Sequence, residues 1–210
     1  MTSYLTIARD AQAEIEVRRS RFLCTLARVE TEEAARAVVA GLRSRHHDAR
    51  HHCSAFVLGP GGAVERSSDD GEPSGTAGAP MLEVLRGQGV SDVVAVVTRW
   101  FGGTLLGAGG LVRAYGDAVR AGLEVAGTRR RDLVRELALE VGHADAGRVE
   151  SELRSRGFAV LDATYGPTVS LLLGAAPDDV ERLYVAVAEL TSGAGLAEPV
   201  GERWVDTMGA

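Results

Sequence analysis

The chain has 210 residues, 45% of them hydrophobic, and a formal net charge of −6. That is enough apolar material for one large or two small domains, while the acidic balance argues against an indiscriminate nucleic-acid binder. All 23 basic residues are arginine, so the lysine of a Walker A loop is missing and a P-loop nucleotidase is excluded.

No apolar run reaches the roughly 18 residues of a membrane-crossing helix. The opening residues lack the basic-then-apolar order of a secretory leader, so a cytoplasmic protein without membrane contact is expected. Two cysteines, Cys24 and Cys53, are far apart in the chain and fit a reduced compartment better than a disulfide framework. Charge is unevenly spread: residues 1–131 hold 17 arginines against 15 acids, residues 132–210 only 6 against 14. If either part meets phosphate, it is the first.

In chain order, residues 14–18 and 22–29 read as strands. Thr31 can cap a helix over 32–45 with Ala35, Val38, Val39 and Leu42 inward. A strand is expected over 52–58. "SDDGEPSGTAGAP" (68–80) follows, with Pro80 suited to the first turn of a short helix that ends near Gly87. The unbroken "VVAVV" marks 92–98 as a strand buried on both faces. "RWFGGTLLGAGG" (99–110) leads into a helix expected to face inward with Leu111, Tyr115, Ala118, Val119, Gly122 and Val125. The glycine and arginine run around Arg129–Arg131 reads as a solvated linker, dividing domains 1–131 and 132–210.

Beyond that run, 137–141 reads as a strand, and Asp145 can cap a helix carrying Val149 and Leu153 that Gly157 stops. Strands follow at 158–164 and 168–173, joined by a turn at Tyr165-Gly166-Pro167. Asp178 can cap a second helix with Val180, Leu183, Tyr184, Val187 and Leu190 on one stripe, and a last strand runs toward Trp204. The order βαββαβ is ferredoxin-like. The fold class is therefore α+β in two domains, not a doubly wound sheet.

Two loops invite chemistry. Asp69, Asp70 and Glu72 have the residue types for a hard cation or for acid–base catalysis, yet they lack an EF-hand alternation, and Asp and Gly are ordinary turn formers. The loop 102–110 joins a buried strand to a helix, where first-turn amides can hold an anion or where glycine merely permits tight packing. Arg99 and Arg113 flank it. Ion pairs of Arg113 with Asp117 and Arg120 with Glu124 would account for two of the cations, although a cation in a helix's first turn opposes the dipole. "HHDARHHC" (46–53) is tempting for zinc, but alternation along a strand sets His52 apart from His51 and Cys53, and no second ligand pair stands at finger spacing. A structural use is expected, with no metal and no cofactor.

"RRSRF" (18–22), "ARHHCSAF" (49–56), "SDDGEPSGTAGAPML" (68–82) and "VVTRWFGGTLLGAGGLVRAY" (96–115) closely resemble the YigZ/IMPACT family. The resemblance implies a first domain similar to domain IV of elongation factor G, itself like the second domain of a small-subunit ribosomal protein. It also implies a ferredoxin-like second domain similar to domain V of that factor. Eukaryotic IMPACT relatives regulate translation by blocking a stress-responsive kinase of an initiation factor. They carry an additional N-terminal module that is not expected here, so that partner does not carry over. Arginine stands where lysine is common in the family at Arg19 and Arg113, keeping charge but not geometry.

By matching motif, the resemblance points to His52, Cys53, Asp69, Asp70, Gly71, Glu72, Pro73, Gly75, Thr76, Gly78, Arg99, Gly102, Gly103, Gly107, Gly109, Gly110, Arg113 and Tyr115 as binding residues. Of these, Asp70 and Arg113 are expected to act on one surface made by both loops. The leading expectation is a non-enzymatic protein that binds the ribosome, RNA or a translation-related protein, without reading DNA sequence. The alternatives are a hydrolase or phosphotransferase acting on a small phosphorylated substrate, and a protein-binding module without RNA contact.

Overall fold

The structure is a computed structural model that describes residues 1–207. The chain forms two compact units, one holding residues 3–130 and the other residues 131–207.

In the first unit β1 (Ser3–Ile7) precedes a five-stranded sheet of β2 (Ala11–Val17), β3 (Ser20–Arg28), β4 (His51–Leu58), β5 (Val64–Ser68) and β6 (Val93–Trp100). Its order is β2-β3-β6-β4-β5, antiparallel throughout. Helix α1 (Glu32–Arg45) covers one face, while α2 (Gly78–Gly87) and α3 (Ala108–Ala126) cover the other. The run "VVAVV" follows from this arrangement. Val93, Ala95 and Val97 enter the core under α2 and α3, whereas Val94 and Val96 enter the core under α1. A central strand with helices on both faces has no solvent side and so no polar alternation.

Thr31 caps α1 as expected, its hydroxyl accepting from the Ala34 amide at 3.1 Å. The inner face of α3 differs at one position: Val125 is 44% exposed, and Leu123 and Ala126 are buried instead. β1 and β5 escape sequence reading because one is short and the other, "VERSS", is an edge strand with no apolar alternation.

The second unit runs β7 (Thr128–Val141), α4 (His143–Ser155), β8 (Ala159–Tyr165), β9 (Val169–Ala175), a 3₁₀ turn at Pro177–Asp179, α5 (Val180–Leu190) and β10 (Ala197–Thr207). β7 pairs with both β10 and β9, and β9 with β8, the 4-1-3-2 order of a ferredoxin-like βαββαβ sheet. Both helices pack on one apolar face built on Leu137, Leu139, Leu171 and Leu173.

Three local expectations are corrected. Arg129–Arg131 are strand residues of β7, not a solvated linker: the alternation that buries Leu137, Leu139 and Val141 breaks at the exposed Arg135 and resumes at Leu133 and Arg131. The Arg131 guanidinium lies 3.2 Å from the Trp204 carbonyl and 3.5 Å from Asp206. Asp145 sits inside the first turn of α4, whose cap is Gly142, and Asp178 lies in the 3₁₀ turn without a side-chain cap bond. Asp145 still places a negative charge where the helix dipole favours it.

Candidate binding pocket of the first unit

Strand register brings the chemistry to one end of the first unit's sheet. Arg21 pairs with Trp100, and Arg99 lies between Phe22 and His51, so the start of β3, the start of β4 and the end of β6 coincide. β5 lies antiparallel to β4 with Ser68 opposite Ser54, which carries residues 69–72 alongside His51, His52 and Cys53.

The three loop acids are each engaged within the protein. Asp69 gathers three backbone amides: Oδ2 accepts from Gly75 (2.8 Å), and Oδ1 accepts from Ala77 (3.0 Å) and Gly78 (2.8 Å). It thereby caps α2, whose own N-cap residue is an alanine without a side-chain acceptor. Desolvation opposes ionisation of Asp69, but the amides of Gly75, Gly78 and Ala77 outweigh it and hold the carboxyl below its ordinary range. Asp70 accepts from the His52 amide (2.6 Å) and pairs with Arg43 of α1 (2.6 Å), while its carbonyl accepts from His51 Nδ1 (2.9 Å). Its φ of +42° and the +86° of Gly71 form the tight turn that makes these contacts simultaneous.

Glu72 is the buried acid. Its Oε1 accepts from Arg99 (2.5 Å) and from the Tyr115 hydroxyl (2.8 Å), and His51 Nε2 is 4.0 Å away. The single proton of the Cys53 thiol can be donated to the Asp69 carbonyl (3.0 Å) or to the Tyr115 hydroxyl (3.3 Å), both of which lie within reach of Sγ. Burial pushes the Cys53 thiol up to about 12, and burial together with Cys53 and Glu72 raises the Tyr115 phenol far above its usual range. Neither is a nucleophile at neutral pH. Burial lowers the His52 imidazole below its ordinary value, against the pull of Asp70. Thr76 closes the loop through its hydroxyl on the Pro73 carbonyl (2.6 Å). These residues connect loop to sheet.

The second loop is tied to the β2–β3 turn. A Cβ on Gly102 would come within 2.0 Å of the Arg19 backbone, and the Gly102 amide donates to Ser20 Oγ (3.1 Å). Gly78 is similarly excluded from growing by the Ser68 amide at 2.7 Å. Gly103 and Gly107 have φ of +86° and +74°, and Gly110 packs on Leu106. Gly109 differs: nothing lies within 4 Å of a Cβ placed there, and its φ is not positive. Packing and conformation leave that position free for another residue.

Both loops contribute to one open pocket of about 400 Å³, which Glu72 and Pro73 line from one side and Leu105 to Ala108 from the other. Arg50, His51 and Arg99 complete it, with Phe101 (46% exposed) and Leu105 (82% exposed) at its apolar lip. The first amides of α3 project from the same rim, as at any helix start.

Asp70 and Arg113 do not share this pocket, contrary to expectation. Arg113 lines a separate groove between α2 and α3 with Glu83, Gln88, Gly109 and Arg120. Nor does it pair with Asp117, which instead bonds Arg120 (2.6 Å), so neither expected i,i+4 pair forms. The residues that sequence reading missed include Ser20, Arg43, His51, Arg50 and Phe101. Ser20, Arg50, His51 and Phe101 lie within the quoted motifs; Arg43 reaches Asp70 from 27 positions away, and no local pattern announces it.

A model of the Impact N-terminal domain matches residues 18–123, and one described as Domain of unknown function (DUF1949) matches residues 139–194. The chain is 40% identical to IMPACT family member YvyE of Bacillus subtilis, covering 91% of this chain and 88% of that protein. It is 38% identical to IMPACT family member YigZ of Escherichia coli, covering 92% and 96%. A crystal structure described as that of a hypothetical protein is 36% identical and superposes with a TM-score of 0.68 over 96% of this chain and 98% of that one.

Proposed function

This chain belongs to the IMPACT family, and on that premise we propose that it is a cytoplasmic, translation-associated protein whose first unit binds RNA on the ribosome. The observation that carries the reading is the convergence of both glycine-rich loops on one open pocket. Arg50 stands exposed there without an acidic partner among the described residues. Amides at a helix start and unpaired guanidinium groups are the standard donors to phosphate oxygens. The resemblance of the two domains to domains IV and V of elongation factor G supports a ribosomal target, as an analogy of fold.

The state of the acids favours binding over catalysis. Asp69 holds amides, Asp70 holds Arg43 and His52, and Glu72 holds Arg99 and Tyr115. A hydrolase or phosphotransferase would need at least one of them released to a metal or to a reacting proton.

Sedimentation with purified ribosomal subunits tests the reading. Association at low salt that weakens as salt rises is expected, and Arg50→Glu is expected to reduce it without lowering the melting temperature. Absence of association at every salt concentration overturns it. Association that persists after nuclease stripping of the RNA assigns the partner to protein instead.

A further inference from the structure

The β2–β3 hairpin turns through only two residues, Arg18 and Arg19, between the paired Val17 and Ser20. Their φ values are +47° and +66°, the left-handed conformation at both central positions of a type I′ turn. That turn strongly favours Asn-Gly because a Cβ is strained there. Two arginines occupy the positions at a conformational cost, and among the described residues no hydrogen bond or ion pair of their side chains offsets it. Both are exposed, and among the described residues neither has an acidic partner or an aromatic ring beneath it. The acids of the hairpin act elsewhere: Glu14 bonds Arg21 (2.9 Å) and Glu16 also bears on Arg21.

The turn is held rigidly beside the pocket. Ser20 is fully buried, its Oγ taking the Gly102 amide at 3.1 Å with Arg99 at 3.5 Å. Gly102 leaves no space between the glycine loop and the Arg19 backbone. Strain that the surrounding structure maintains, on residues with no internal use, points to a ligand. A planar guanidinium matches the oxygens of a phosphate in bidentate fashion. The exposed ring of Phe101 lies nearby, 5.8 Å from the Arg99 guanidinium, and offers a face on which an unpaired base can stack.

We propose that the Arg18–Arg19 turn is a phosphate clamp that grips the backbone of single-stranded RNA and delivers it to the glycine-loop pocket. The inference rests on the RNA-binding reading and specifies the strand and the residues that seize it.

The test is the double variant Arg18→Asn/Arg19→Gly, which supplies the residues that the turn prefers while removing both charges. Its melting temperature is expected to rise. Its affinity for a labelled 12-nucleotide single-stranded RNA is expected to fall at least tenfold. The slope of log affinity against log salt should shrink by about 1.4, from roughly 0.7 per phosphate contact on a single strand. Arg36→Gln/Arg66→Gln removes the same charge from the α1–β5 groove and should leave affinity and slope unchanged. Equal losses in both variants would reduce the effect to net charge and overturn the clamp. Wild-type binding that the turn variant retains would overturn the clamp while leaving the RNA reading standing. If the wild type binds no RNA, that reading fails. The RNA clamp falls with it; a tripolyphosphate-induced rise in melting temperature seen in the wild type and not in the turn variant would then leave the turn as a phosphate site without RNA, and equal shifts would remove that as well.

Discussion

Asp69 and the loop glycines show how single residues divide between fold and ligand. With its folded-state carboxyl held below the ordinary range, Asp69 adds stability that is complete above the unfolded-state pKa near 4 and lost as pH falls through the folded value. Asp69→Ala is expected to cost about 1–3 kcal/mol at pH 7, because the amides of Gly75, Ala77 and Gly78 lose a charged acceptor. Melting curves from pH 7 to pH 3 should show the wild type losing more of its stability than the variant; parallel curves would refute the role. Gly102 and Gly109 form a second contrast. Gly102→Ala drives a Cβ into the Arg19 backbone and is expected to destabilise by about 1–3 kcal/mol. Gly109→Ala meets nothing and is expected to stabilise α3 by about 0.5–1 kcal/mol. Reduced ribosome association in a more stable Gly109→Ala protein would mark that glycine as kept open for a ligand. The buried thiols of Cys24 and Cys53, both pushed up to about 12, are expected to react with a thiol reagent at pH 8 only on unfolding.

Between elements, the decisive contact is the buried Arg99–Glu72 pair, which joins β6 to the loop ahead of α2. Both side chains are at least 93% buried, so each depends on the other for compensation of its desolvation. Removing one partner, as in Glu72→Gln or Arg99→Met, is expected to cost about 3–5 kcal/mol. The double variant should lose clearly less than the sum, which a thermodynamic cycle on denaturant midpoints would measure. Additive losses would mean that the loop is held by Asp69 and Asp70 alone. The same contact sets the pocket's shape, because Glu72 and Arg99 both line it. A variant that folds but lacks the pair should therefore also bind RNA less well.

At the scale of the whole chain, the first unit holds two apolar clusters, one on each face of its sheet, and the second unit holds one that shares no residue with them. We propose that residues 131–207 fold alone into the ferredoxin-like unit, since that core is complete within β7 to β10 and both helices. Expressed separately, the fragment should unfold cooperatively with the circular dichroism of a mixed α+β domain; a disordered spectrum would show that its core depends on the first unit. The same fragment, with 7 arginines against 14 acids, is expected not to bind the single-stranded RNA that the intact protein binds.

Much of the architecture was legible because it is local. Strand-like apolar runs located β3, β4 and β6, period-3.6 stripes located α1, α3 and α5, and the order βαββαβ implied the second unit's topology. Long motifs were enough to point to the family, since the loops that carry them are continuous in sequence. What the sequence could not supply were pairings between distant residues. Asp70 with Arg43, Glu72 with Arg99 and Tyr115, and Gly102 with Ser20 are separated by 27 to 82 positions, and only strand register brings them together. The acids looked catalytic in one dimension because their partners were invisible; tertiary structure makes them staples. Arg113, flanking the glycine loop in sequence, turns into another groove because it shares the α3 face of Gly109, Gly116 and Arg120, whereas Ala108 and Leu111 occupy the face toward the pocket. The charge of Arg18 and Arg19 was plain from the sequence, but their left-handed backbone was not. That conformation is imposed by the two-residue closure of a hairpin whose register depends on the packing of the whole sheet.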